Sequence, residues 1–229
     1  MPDRRDVRAT YERIGEHFAT TREYAWPEVE SFVESVAALQ GSRAGVGLDL
    51  GCGNCRHAEV LAPHVDRVVG IDASRRLLDS GRDRAIDRGF VDRLALVQAD
   101  ASTLALVDGC VDLAVYVATL HHLPTRTDRL ASLDELARVL APGGRALVSA
   151  WSTAHDRFEE ASPDDEVGFD TTVDWTLPGG EVVERFYHIY APAEFEADLE
   201  ASGLSIADSE ISSGNCYATV EPDEKREVT

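Results

Sequence analysis

The chain is almost without lysine. Of its 22 basic residues only Lys225 is one, and 42 acids oppose them for a formal net charge of −20 in 229 residues. Such scarcity of cations excludes a surface that grips nucleic acid by charge alone. Its self-repulsion is of the kind that molar salt screens, where the Debye length falls to about 3 Å. We read a cytoplasmic protein of a salt-loving microbe, against the alternative of an acidic protein from a GC-rich genome. Long apolar runs are also missing: none approaches the roughly 20 residues that cross a bilayer. Met1-Pro2-Asp3-Arg4-Arg5 leads into a charged amphipathic segment rather than a signal peptide, so no membrane partner is expected. Cysteine is sparse, with Cys52, Cys55, Cys110 and Cys216 making no disulfide scaffold. Cys52 and Cys55 form a Cys-x-x-Cys pair, but no second pair follows at zinc-site spacing; loop packing, with no metal, is the expectation.

What the chain does have is Leu48-Asp49-Leu50-Gly51-Cys52-Gly53-Asn54, an apolar strand entering a glycine turn, and then Val68-Val69-Gly70-Ile71-Asp72, a second strand closed by an acid. Glycines there let a ligand approach the backbone where a Cβ would collide, and the acid can accept both ribose hydroxyls. A dinucleotide fingerprint wants a third glycine at position 56, where Arg56 stands. Asp49, two residues before the first glycine, and Asp100, closing the run Leu94-Ala95-Leu96-Val97, are extra acids that favour S-adenosylmethionine.

The order of elements over residues 45 to 220 resembles the class I S-adenosylmethionine-dependent methyltransferases. Val111 to Tyr116 reads as the fourth strand, Leu140-Ala141-Pro142-Gly143-Gly144 as a turn, and Arg145 to Ala150 as the fifth. The resemblance implies an α/β fold: a Rossmann-like, doubly wound, mostly parallel seven-stranded sheet with helices on both faces. It also implies that Asp49, Gly51, Cys52 and Gly53 wrap the methionine end of the cofactor and that Asp72, beside Ala73, holds the ribose. Asp100, beside Ala101, would face the adenine amino group, with Val117 at the end of the fourth strand. Cys55 departs from the third glycine of many members.

We expect a single domain over 1–229. Residues 1–40 form a two-helix lid, with Tyr11, Ile14 and Phe18 and then Val29, Phe32, Val33 and Val36 at helical spacing. Residues 45–150 form the cofactor-binding core, 151–190 an acidic insertion interrupted by Val173-Asp174-Trp175, 191–220 a closing helix and hairpin, and 221–229 a tail. Ser74 and Thr125 open helices. Arg75, Arg76, Arg82, Arg84 and Arg88 alternate with Asp79, Asp83 and Asp87, which reads as an internally paired, solvated face rather than an RNA patch.

Five further segments resemble the tRNA wobble-uridine carboxymethyl methyltransferases: Tyr11 to Arg22 with Trp26-Pro27, Ala118-Thr119-Leu120-His121-His122, Val173-Asp174-Trp175, Glu184 to Tyr190, and Ser213 to Tyr217. Cys216 stands where an aromatic is expected. That resemblance implies a tRNA anticodon loop as substrate and a small zinc-ribbon activator subunit as partner. Arg22 and Arg185 are candidates for a carboxylate clamp, His121 and His122 for the catalytic loop, and Trp26, Tyr187 and His188 for substrate contacts. Bland alternatives stay open: Arg22 pairing with Glu28 or Glu30, and packing roles for the histidines. A small-molecule methyltransferase acting on a carboxylate, quinone or phenol is the competing reading, and a non-catalytic cofactor-binding scaffold a third.

Overall fold

Alternation along the strands builds two separate cores, one on each face of a central sheet. Strand β1 (Ala44–Leu50), β2 (Val65–Asp72), β3 (Leu94–Gln98), β4 (Val111–Val117) and β5 (Leu140–Trp151) run parallel, while β8 (Leu204–Ser212) and β9 (Asn215–Pro222) close the sheet as an antiparallel hairpin. The order is β3-β2-β1-β4-β5-β9-β8, so the connection reverses between β1 and β4. Open α/β sheets bind ligands beyond the strand ends at such a switch. This is the expected seven-stranded, mostly parallel sheet. The computed structural model describes residues 2–40, 44–158 and 160–223.

Strand β4 shows why both faces must be covered. Ala114 and Tyr116 pack with Leu133 and Leu136 of α5 (Arg126–Val139) and with Phe195 and Leu199 of α6 (Pro192–Ala201). Leu113, Val115 and Val117 point the other way, among residues of α2 (Pro27–Gln40), α3 (Arg56–Leu61) and α4 (Arg75–Asp87). Period-two side chains on a central parallel strand are apolar throughout because neither face meets water. Ser74 caps α4 by accepting from the Leu77 amide, and Thr125 caps α5 by accepting from Asp128.

The remaining helix, α1 (Arg4–Thr20), starts from a reciprocal cap between Asp3 and Asp6. It lies across α4, where Gly15 admits Arg76 and Leu77 to its surface, and against β7 (Val182–Ile189). Strand β7 pairs with β6 (Phe169–Thr176) as a separate antiparallel hairpin. Thus the segment read as an insertion is a two-stranded wall facing the lid. No described helix is long and apolar enough to cross a membrane.

Three sequence readings are corrected here. Leu140 to Gly144 is not a turn ahead of β5: Leu140 already pairs with Val111 and Arg145 with Leu113, so the residues between bulge out, helped by Gly143 at φ 77°. The tail begins later than expected, since Glu221 still pairs with Ser205 and its carboxylate meets Arg145 at 2.7 Å; residues 224–229, Lys225 included, lie outside the described residues. The arginines of α4 pair internally only at Arg75 and Asp79, whereas Arg84 and Arg88 reach Glu59 of α3, and Arg88 also reaches Glu23 beyond the lid helix.

Candidate functional site

A cavity of about 360 Å³ opens above the ends of β1, β2 and β4, roofed by α1 and the loop that follows it. Its floor is the glycine turn. The Gly51 and Cys52 amides both donate to the Ile71 carbonyl, at 2.7 and 2.9 Å, strapping the turn to β2. Gly51 is obligatory: at φ +74° a Cβ would sit 2.1 Å from Thr119 Oγ1. Cys55 occupies the left-handed region at φ 61°, unusual for a residue with a side chain, and its buried sulfur lies where a Cβ on Gly81 of α4 would come within 2.5 Å. All four cysteines are free, and no cluster of metal-binding side chains occurs among the described residues.

Three acids sit around this floor at different depths. Asp72 lines the cavity, accepting from the Gly53 amide at 2.9 Å and the Ser74 amide at 2.8 Å; burial pushes its carboxyl up to about 6. Asp100 also lines it, with one oxygen taken by Ser102 and the other by the Arg4 guanidinium at 3.0 Å; Arg4 additionally meets Asp128 at 3.2 Å. Asp49 does not reach the wall. It is 1% exposed beneath the turn, accepts from the Ala58 amide at 2.9 Å, and is raised to about 7 by burial. Gly51, Cys52, Gly53, Ala73, Ala101 and Val117 all line the cavity.

At the far end the 3₁₀ turn Leu120–His122 brings both histidines to the wall. His121 Nδ1 accepts from the Trp151 amide at 2.9 Å, and its ring lies beside Tyr187, which in turn stacks on Trp151 with centroids 4.8 Å apart. His122 Nδ1 stands 3.0 Å from the Phe186 carbonyl and Nε2 stands 2.8 Å from the Tyr11 hydroxyl. Desolvation holds both rings neutral, His122 being pushed down to about 3, with the nearby guanidinium groups adding to the effect. Neither histidine therefore has a free nitrogen lone pair.

Arg22 lines the cavity and Arg185 stands behind its wall, buried, donating to the Tyr187 hydroxyl at 2.6 Å. The two guanidinium groups share the rings of Phe18 and Trp175: Arg22 lies 4.1 and 5.6 Å from their centroids, Arg185 5.8 and 5.0 Å. Arg22 pairs with neither Glu28 nor Glu30; its side chain donates to Thr21 instead. Arg185 keeps a buried Nε with no hydrogen-bond partner among the described residues. Trp26 and Tyr187 line the cavity as well. His188 does not. On a strand, neighbours of Tyr187 point the opposite way, and His188 sits between Asp170 at 2.7 Å and Glu194 at 3.1 Å, away from the cavity.

Several residues of the site went unread in the sequence. Asn54 donates to the Ala19 and Arg22 carbonyls at 3.1 and 2.9 Å, pinning the lid loop to the glycine turn. Tyr11 looked like a core position but puts its hydroxyl at the site, and Arg4 gave no signal, because its partners are remote in sequence.

The strand order, the glycine turn and the acids at the ends of β2 and β3 are those of the fold shared by the class I S-adenosylmethionine-dependent methyltransferases. A methyltransferase-domain family model matches residues 48–148. The chain is 31% identical over 156 residues to the Macaca fascicularis tRNA (carboxymethyluridine(34)-5-O)-methyltransferase ALKBH8, covering 68% of this chain and 21% of that protein. It thus spans about a fifth of that relative's length. To the Schizosaccharomyces pombe tRNA (carboxymethyluridine(34)-5-O)-methyltransferase it is 25% identical over 241 residues, 94% of this chain and 95% of the other. Among solved structures, the complex between the Haloferax volcanii Trm112 methyltransferase activator and a putative methyltransferase shares the fold, with a TM-score of 0.66 and 16% identity over 94% of this chain and 97% of that one.

Proposed function

We propose that this protein transfers a methyl group from S-adenosylmethionine to the carboxylate of a carboxymethyl group on a tRNA wobble uridine. The observation that carries the reading is the pair Arg22 and Arg185, two guanidinium groups at one end of the cavity with no acidic partner among the described residues. In a chain with 42 acids against 22 bases, two neighbouring cations left unpaired mark a place for an anion brought from outside. Similarity to proteins named for carboxymethyluridine supports a carboxylate on RNA as that anion.

The residues present fit the cofactor. Gly51 and Gly53 leave the turn free of side chains, Asp72 would hold the ribose diol, Asp100 the adenine edge, and Cys52 and Val117 the methionine end. When bound, S-adenosylmethionine supplies an electrophilic methyl group on a sulfonium. Arg22 orients the incoming carboxylate, and Arg185 adds positive field from behind Tyr187. With a pKa near 4 the carboxylate arrives ionised, so an oxygen–methyl bond would form as the sulfur–methyl bond breaks to leave a neutral thioether, with no proton to transfer. The aromatic wall of Trp151, Tyr187 and His121 keeps water from the reacting oxygen.

A tRNA substrate puts the work in the cytoplasm, and with so acidic a surface the grip on RNA comes from stacking, shape and direct hydrogen bonds. We also propose a zinc-ribbon activator subunit. Strand β3 is the outer strand of the sheet, half-buried along most of its length, and pairs only with β2 among the described residues. An unpaired edge of this kind suits a partner that adds a strand.

The test is methyl transfer from labelled S-adenosylmethionine to total tRNA from a strain lacking the gene, in molar potassium chloride, with and without the activator, followed by nucleoside mass spectrometry. A base-labile methyl ester on uridine, lost in Arg22→Ala while cofactor binding persists, is the expected result. No label in tRNA despite cofactor binding overturns the reading in favour of a small-molecule carboxylate.

A further inference from the structure

Tyr11, Tyr187, His122 and Arg185 come from three separate parts of the chain, yet they meet as two short hydrogen-bonded runs packed side by side. Arg185 Nη1 donates to the Tyr187 hydroxyl at 2.6 Å. The Tyr187 ring packs edge-on against His122, with centroids 4.4 Å apart. Tyr11 Oη stands 2.8 Å from His122 Nε2, and His122 Nδ1 stands 3.0 Å from the Phe186 carbonyl. The Phe186 carbonyl fixes the direction of the protons on His122 and Tyr11. A guanidinium can only donate and a carbonyl can only accept. His122 Nδ1 therefore carries the proton given to Phe186, and Nε2 is left as an acceptor. Tyr11 must then give its proton to His122.

One consequence concerns the chemistry. His122 Nε2 is the one nitrogen of the histidine pair that could accept a proton from a bound nucleophile, and the lid occupies it. His121 Nδ1 is already taken by the Trp151 amide, so its remaining nitrogen bears the hydrogen of the neutral ring. We propose that Tyr11 is a positioning residue which, by docking the lid helix, commits His122 to a neutral, proton-accepting structural role. The histidine end of the assembled site then has no free base and takes only nucleophiles that arrive ionised. This deepens the carboxylate reading and rests on it. Carboxylates are admitted; alcohols, amines and un-ionised phenols, which must lose a proton to be methylated, are not.

Two measurements decide it, one of them independent of turnover. Nitrogen NMR of the histidine rings, with His122 assigned by its loss in His122→Gln, is expected to show a neutral His122 protonated at Nδ1 across about pH 6 to 9. In Tyr11→Phe the Phe186 carbonyl is expected to keep the proton on Nδ1, while the Nε2 resonance moves as that nitrogen loses its donor. A His122 protonated at Nε2 in the unaltered protein, or titrating within that range, overturns the proposal. In single-turnover transfer to carboxymethyluridine tRNA, the unaltered enzyme is expected to show a rate flat with pH over the same range. Tyr11→Phe should be roughly two- to tenfold slower, the loss of one hydrogen bond between neutral groups, with cofactor affinity within about threefold. Glu12→Gln loosens the lid elsewhere, where Glu12 accepts from Ser74 Oγ at 3.0 Å and from the Arg76 amide at 3.3 Å. Equal slowing in that variant would reduce the effect of Tyr11 to lid docking and overturn the proposal. If the unaltered enzyme methylates no tRNA, the wobble reading fails by itself, and the tautomer measurement still decides the role of His122.

Discussion

Asp49→Asn is expected to make the protein more stable above neutral pH and to leave it unchanged in acid. The carboxylate of Asp49 is 1% exposed and accepts one amide, from Ala58, at 2.9 Å; desolvation outweighs that bond and the distant Arg56 charge, so its pKa rises from 3.8 to about 7. The folded state thus binds a proton that the unfolded chain gives up near pH 4. Stability from this group is fully present below about pH 4, falls as pH climbs towards about 7, and is level beyond. At about 1.4 kcal/mol per pH unit, the ionised form costs at most about 4 kcal/mol. Asparagine resembles the protonated acid and its carbonyl can still accept from Ala58, while its second amide hydrogen needs an acceptor that the carboxyl did not. A gain of roughly 1 to 3 kcal/mol at pH 8.5, shrinking towards zero at about pH 4, is the expected outcome of denaturant titrations in molar potassium chloride. A difference independent of pH, or a loss at pH 8.5, would refute the assignment of burial as the dominant cause.

Three further outcomes are expected. Gly51→Ala should lose more than about 2 kcal/mol and cofactor binding with it, because the added methyl meets Thr119 Oγ1 at 2.1 Å in a left-handed backbone, as calorimetry would show. Arg4→Ala should weaken cofactor binding roughly two- to fivefold in dilute buffer and less in molar salt, since the Arg4 and Asp100 pair is half exposed; equilibrium dialysis at both salts checks it. The melting temperature should rise from dilute buffer to molar potassium chloride, and its failure to do so would remove the halophilic reading of a net charge of −20.

The central sheet was legible because buried parallel strands must be apolar on both faces, as Leu113 to Tyr116 are, and because Ser74 and Thr125 stand where orphan amides need acceptors. The glycine turn was legible for a similar reason: strained backbone and side-chain-free approach leave few residue choices. The wall formed by β6 and β7 was not, since Phe169 to Thr176 exposes most of its length and its polar residues carry no clear period. Within β7 the motif Tyr187-His188 was read as one unit, although alternate residues of a strand face opposite ways, and only Tyr187 reaches the cavity. Arg4 and Tyr11 act on partners 96 and 111 residues away, a relation that no local pattern encodes.

Cys55 and Gly81 share one small volume. The loop carries a side chain at a left-handed position, and the helix across from it gives up its own. Any Cβ added at position 81 would lie 2.5 Å from the Cys55 sulfur and 3.3 Å from the Gly53 carbonyl, so bulk cannot be gained on the helix while the sulfur stays. The two sites are therefore one degree of freedom for evolution: a descendant that restored glycine at 55 would be free to enlarge 81, and one that enlarged 81 first would press on the turn that receives the cofactor.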